Sequence, residues 1–386
     1  MLSFGFRPFF LMGAIWAALA MLIWLPMFMG ALAPPPVFSP VDWHAHAMLF
    51  GYTGAVVAGF ILTAVPNWTG QLPVTGWPLG GLAALWLAGR LATTLPLDLP
   101  RPLVAVADLA LPAVLLVVLL REIVAGKNWR NLTVVGLIGI FAAGQAAFHW
   151  QAADGAAAQG WGARLGLAAI VMLMTLIGGR VIPSFTRNWL VKARQTALPG
   201  PFAAPDRVAL ALGGLALVGF VAAPDAALTA GLAALAGAAH LFRLLRWRGG
   251  AIWSEPLLWI LHVAYLWVAL GFLAAAAAAV GLMPAAGAQH VWMAGGIGCL
   301  TLAVMPRASL GHTGRALTAG PGLTAVFVLA ILSALLRLAY ALTAQMWMLH
   351  AAGTAWIAAF AGFAILFWPV LTGPRVSARQ PSARKV

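Results

Sequence analysis

Residues 43–70 read WHAHAMLFGYTGAVVAGFILTAVPNWTG, two histidines opening an apolar run that lasts to Val65. No charge occurs between Ala47 and Val65, and the run approaches the about 20 apolar residues that cross the hydrocarbon of a bilayer. Lipid offers backbone N–H and C=O groups no partner, so a helix is the form such a run takes. The stretch predicts an all-α integral membrane protein and leaves His44 and His46 to be explained.

The rest of the chain repeats the pattern. Of its 386 residues 63% are hydrophobic and 8% charged, against about 25% charged in a soluble domain. Twelve spans are predicted, at roughly 9–30, 43–65, 77–95, 102–120, 132–152, 162–183, 207–223, 226–245, 256–280, 287–305, 322–342 and 345–370. They form a single transmembrane domain with no room for a water-soluble one. The run at 9–30, followed by GALAPPP, imitates a secretory signal but exceeds the usual 7–15 apolar residues, and prolines follow the supposed cut.

The net charge of +14 reports orientation before it reports any partner, because basic residues favour cytoplasmic loops. With the N-terminus inside, eighteen of the 22 Lys and Arg fall inside, and only Arg90, Arg101, Arg164 and Arg337 do not. Both termini are expected in the cytoplasm, with 371–386 as a basic tail and 184–206 as a basic connector that can lie on anionic lipid. No nucleic-acid module, phosphate loop or CxxC pair occurs, and the single Cys299 cannot form an internal disulfide.

The second, sixth and tenth spans close with similar words, AVPNWTG, RVIPSFTRN and VMPRASLGHTGR, whose prolines Pro66, Pro183 and Pro306 lie 117 and 123 residues apart. This suggests four helices repeated three times.

The topology gives every polar residue a depth. His44 and His46 open the second span, His149 closes the fifth, His290 opens the tenth and His350 opens the twelfth, all at the outer level. Arg90, Arg337, Asp108, Gln145, Tyr52 and Tyr340 share that level. His240 and His262 occupy the inner half and can face each other. At about 1.5 Å per residue, His312 is too far from His290 to share its site. Arg or Asp at the centre of a span costs about 2.5–3.5 kcal/mol, so such residues face partners, and the outer level is where function is expected. Residues two apart point to different sides of a helix; one of His44 and His46 is therefore expected to serve a metal or haem and the other a different centre or a hydrogen bond to a ligand.

Histidines with few carboxylates and no thiolate cluster suit haem iron, copper or zinc. Arg90 and Arg337 at that depth suit haem propionates, which take charge-assisted donors. No acidic residue lies in the inner half of the spans, which disfavours proton pumping. Protons, if consumed, are expected from outside, with Asp108, Tyr52 or Tyr340 as the catalytic donors.

The stretches GFRPFFLMGAIWAAL, WHAHAMLFGYTGAVVAGFILTAVPNWTG, GGRVIPSFT, PLLWILHVAYLW and MPRASLGHTGRAL together resemble the NnrS family, to about residue 320 and weakly beyond. The resemblance implies a twelve-helix bacterial inner-membrane protein, associated with haem and copper, that protects against nitric oxide in denitrification or nitrosative stress. The family's W-H-x-H-E-M falls on Trp43, His44, His46, Ala47 and Met48; the usual glutamate is Ala47, so Asp42 or Asp108 would have to supply that carboxylate. The family's histidines in the ninth and tenth spans correspond to His262 and His290. Arg7 and Trp43, within these motifs, join Arg90 and Arg337 as cofactor-binding candidates, and His44, His46, His149, His262, His290 and His350 are the metal-ligand candidates.

The leading expectation is reduction of nitric oxide to N2O at one or two b-type haems, with copper or a second metal as a further cofactor and a quinol as electron donor. A non-catalytic nitric oxide scavenger or metal-handling protein is the alternative, and a transporter the third reading. Oligomeric state is left open.

Overall fold

The protein is described from a computed structural model covering residues 1–376; the tail residues Arg379, Arg384 and Lys385 lie outside the described residues. Twelve long helices follow one another: α1 Phe6–Phe28, α2 Pro40–Thr69, α3 Gly76–Thr94, α4 Arg101–Ala125, α5 Leu132–Gln151, α6 Trp161–Lys192, α7 Ala204–Ala222, α8 Ala227–Leu245, α9 Pro256–Ala279, α10 Ala285–His312, α11 Pro321–Thr343 and α12 Met346–Thr372. No strand occurs among the described residues. Eleven of these helices are long and apolar enough to cross a membrane. The exception is α3, whose apolar content is diluted by Trp77, Arg90 and glycines 76, 80, 81 and 89. It nevertheless runs between the same two faces as its neighbours. Its first residue donates to the Leu2 carbonyl (2.8 Å) beside the N-terminus, and Arg90 near its other end pairs with Asp108 of α4.

Both ends of the described chain lie at one face, here termed proximal. Arg7, at the start of α1, donates from Nη1 to the carbonyls of Leu371 (3.0 Å) and Gly373 (2.5 Å) at the end of α12. This contact places Arg7, a cofactor-binding candidate, at the proximal face, away from His44 and His46. Arg7 instead satisfies carbonyls that a helix C-terminus leaves without intrahelical partners.

Three predicted helix ends move for a common reason. The spans expected to stop at 65, 183 and 305 continue to Thr69, Lys192 and His312, with Pro66, Pro183 and Pro306 inside them. Neighbouring helices and hydroxyl side chains let membrane helices absorb a proline. In each case the hydroxyl three residues after the proline donates to the carbonyl just before it: Thr69 to Val65 (3.0 Å), Thr186 to Ile182 (2.9 Å) and Ser309 to Met305 (2.7 Å). Thr372 makes the same bond to Trp368 beside Pro369 in α12, so the bond is a local companion of a proline inside a helix and not peculiar to α2, α6 and α10.

Burial ranks the helices. The apolar windows of α2, α6, α9 and α10 are 72%, 67%, 67% and 61% enclosed, whereas those of α4 and α11 are 28% enclosed. The first four form the centre and the last two face outward. Among the described residues the backbone widens into π-helical turns only in α2 and α10, at Ala47–Tyr52 and Val291–Gly298, each beginning directly after a histidine, His46 or His290. Such turns are rare and concentrate at functional sites.

Candidate functional site: two polar centres at the distal face

His44 and His46 share one helical turn yet belong to different centres. The ring of His44 stacks on Trp24 of α1 at 4.1 Å and faces His290 of α10, their ring centres 6.2 Å apart and their planes 7° from parallel. His290 is oriented from its own helix, its Nδ1 2.6 Å from the Ala286 carbonyl. The Nδ1 of His44 is buried without a partner. Arg337 of α11 closes one side, its Nη2 3.2 Å from His290 Nδ1 and its guanidinium 5.2 Å from the Tyr340 ring, while its Nη1 is buried without a partner. Met21, Met48 and Met293 add a polarisable lining, and Trp356 and Gly353 also border the cleft. The cleft holds about 720 Å³ of unfilled space including its open mouth, of which about 80 Å³ admits a water-sized body.

His46 turns the other way, toward Asp108. One oxygen of that fully buried carboxylate, Oδ2, lies 2.8 Å from His46 Nε2, 2.8 Å from His149 Nε2 and 2.6 Å from Gln145 Nε2; the other, Oδ1, pairs with Arg90. Arg90 lies between the rings of Trp16 and Trp86, 5.9 and 5.8 Å from their centres. Two glycines make this approach feasible. A methyl group at Gly51 would collide with the Arg90 guanidinium, and one at Gly89 would meet the Asp108 backbone at 3.0 Å. The π-helical turn also leaves the Gly51 carbonyl to accept from Trp86 Nε1 at 2.9 Å. His46, Asp108 and His149 offer three ligand atoms within 4.8 Å of one another, a two-histidine, one-carboxylate set. Arg90 and Gln145 already occupy both carboxylate oxygens, whereas His46 Nε2, Arg90 Nε and Arg90 Nη1 are buried without a hydrogen bond.

The model of the NnrS protein family matches residues 1–375 of the 386. The chain belongs to the NnrS family. Membership fits a membrane protein of nitric oxide biology. A search of curated proteins found no match.

Within this NnrS chain the outer-level candidates separate into those the fold gathers and those it does not. His44, His290 and Arg337 line one centre; His46, His149, Arg90 and Asp108 build the other. Tyr52 borders the first cleft, its hydroxyl bonded to Thr301, and Tyr340 packs under Arg337. His350 differs: it lies on an exposed side of α12, away from both centres. Trp43 is buried edge-on against Trp16 at 6.2 Å and does not line the cleft. His262 lies toward the proximal face, its Nδ1 3.1 Å from the Leu258 carbonyl and its Nε2 3.5 Å from Thr186, so depth along the helix decided its place and the motif correspondence did not. It does not meet His240, whose Nδ1 takes the Tyr265 hydroxyl (2.8 Å) in a network with Arg243 and Asp206. His312 packs against Phe4 and Phe6 near the proximal face, as expected of a structural residue.

Of the two acids weighed as replacements for a carboxylate at position 47, Asp42 ties the start of α2 to Ser39 (2.8 Å) and the Ala158 amide (2.7 Å). Asp108 is the one that reaches a histidine. Sequence reasoning passed over the three methionines and the Trp16–Trp86 pair around Arg90. Only Met48 carried a signal, from its place in the WHAHAM stretch.

Proposed function

We propose that the protein binds nitric oxide at a metal held in the distal cleft and reduces it there: two NO, two protons and two electrons give N2O and water. It works in the bacterial inner membrane with both termini in the cytoplasm and draws electrons from a quinol. The observation that carries this reading is the imidazole pair. Metal-bound histidines commonly donate their other ring N–H to a backbone carbonyl, which fixes tautomer and ring, as His290 does with Ala286. Opposite it, a buried nitrogen without a partner costs about 1–3 kcal/mol, a cost that ligation of His44 removes. The two rings, 6.2 Å apart and nearly parallel, are close enough that both imidazoles could hold one metal.

The donors fit a b-type haem, with His290 and His44 as its histidines and the free Nη1 of Arg337 on a propionate. Ala352 and Gly353 give the cleft a flat wall. The space free inside it is about 80 Å³, against about 300–1,000 Å³ for cofactor and ligand sites, so Met21, Met48 and Met293 must part to admit a macrocycle, as unbranched thioethers readily do. When bound, haem iron supplies the electron storage and NO affinity that no side chain provides. The chain's own residues do the rest. Trp24 and Trp356 exclude water from the cleft, and the centre of His46, Asp108 and His149, reached within one helical turn of His44, supplies the groups that would pass protons to it.

The three methionines favour a second reading, a copper site of two imidazoles and thioethers that scavenges NO or handles metal without turnover. An optical spectrum of purified, dithionite-reduced protein, repeated with NO while headspace N2O is quantified, separates the two. A b-type haem band, lost in His290→Ala, with N2O exceeding one turnover supports the reductase; a nitrosyl that forms and stays supports the scavenger. Metal-free protein, or metal retained in both His44→Ala and His290→Ala, overturns the cleft as a metal site.

A further inference from the structure

Below the distal cleft, α2, α6, α9 and α10 line a second cavity of about 110 Å³, open along one side where Val57, Phe60, Ile177 and Val181 are only half-buried. Its walls are Val, Ile, Leu, Phe and Met side chains, with Thr53 and Thr301 as the only hydroxyl-bearing residues. Both hydroxyls are already spent, Thr53 on the Met48 carbonyl (3.1 Å) and Thr301 on the carbonyls of Ile297 (2.7 Å) and Gly298 (2.9 Å) as well as on Tyr52. A buried water needs about 2–4 polar partners, and apolar cavities of this scale stay dry and take up apolar molecules such as xenon. The cavity offers water no such set.

Its position gives the emptiness a use. Thr53 and Ile297 border both this cavity and the distal cleft, so a thin partition separates the two. The Tyr52–Thr301 hydrogen bond is part of it, and the π-helical turns of α2 and α10 end there. At the other end, one turn beyond Val181 and Val304, the Arg307 guanidinium lies 4.0 Å over the Phe185 ring and joins α10 to α6.

We propose that this cavity is a holding chamber for small uncharged apolar gas molecules, of the size of NO, and feeds the distal cleft through the Tyr52–Thr301 partition. The feeding role rests on the reading of the cleft as the NO site; the chamber itself does not. The lining selects by what it lacks. Ions and water lose their hydration without replacement, whereas a diatomic with almost no hydrogen bonding loses nothing.

The test is crystallography of the full-length protein under xenon pressure, paired with NO recombination after flash photolysis of the reduced protein. Xenon is expected between α2, α6 and α10 in the native protein and absent from Ile177→Phe and Val304→Phe, which fill the chamber from different helices. Both variants should keep the cleft's metal spectrum and slow NO association several-fold. Thr301→Val, which removes the partition's hydrogen bond without filling the chamber, should keep the xenon and change the association rate. Ordered water or a lipid chain in the chamber, or no xenon in the native protein, overturns it. Xenon bound in the native protein with unchanged NO rates in the filled variants overturns the feeding role. Xenon bound in a protein that carries no metal sinks the proposed function and leaves the chamber standing.

Discussion

His44 and His46 are two residues apart on one helical turn and serve different centres: His44 faces His290 across 6.2 Å, and His46 Nε2 lies 2.8 Å from Asp108 Oδ2. The geometry follows from about 100° of rotation per residue, which turns neighbours two apart to different sides. It couples the centres mechanically, since a shift of this one turn moves both rings.

The two histidines should therefore fail separately. His44→Ala and His290→Ala are expected to lose or shift the metal spectrum, whereas His46→Ala and His149→Ala keep it and lower N2O formation. His350→Ala should behave as native, its side chain being exposed. Spectral loss in His46→Ala with a native spectrum in His44→Ala would move the metal to the other centre.

The Arg90–Asp108 pair is buried, both side chains being at most 4% exposed. Removing one partner leaves an uncompensated charge at a cost of about 3–5 kcal/mol. Asp108→Asn and Arg90→Gln should each lower the thermal midpoint in detergent markedly. The double change Arg90→Met with Asp108→Leu should cost much less than the two single changes together; a strictly additive result would show that the pair does not act as a unit.

Arg7 ties the first helix to the last through two carbonyls, and charge-assisted hydrogen bonds contribute about 1.5–3 kcal/mol. Arg7→Ala should speed proteolysis near the end of α12 and lower the midpoint while leaving the metal spectrum unchanged. A lost spectrum would return Arg7 to the cofactor.

The proposed orientation is open to thiol labelling, since the native Cys299 is fully buried. In intact spheroplasts a membrane-impermeant maleimide should label Asp98→Cys and Leu282→Cys on the distal loops. Leu72→Cys, exposed on a proximal loop, should react only after lysis. The reverse pattern would invert the protein in the membrane.

Much of this was readable from residue order. Apolar runs determined an all-helical membrane protein, and counting along each run determined depth. Depth in turn put His44, His46, Asp108, His149, His290 and Arg337 at one level and held His240, His262 and His312 away from it. The two-residue spacing of His44 and His46 also determined that they part.

What only the tertiary structure decided is who meets whom. Depth along a helix says nothing of which neighbour stands beside a given face, so His290 and not His350 became the partner of His44, and Asp108 gathered His46, His149 and Arg90. Two features invisible to apolar periodicity set those faces: the π-helical turns after His46 and His290, which advance the chain by an extra residue and re-aim everything beyond, and the glycines at 51 and 89, whose missing methyl groups let Arg90 and Asp108 meet.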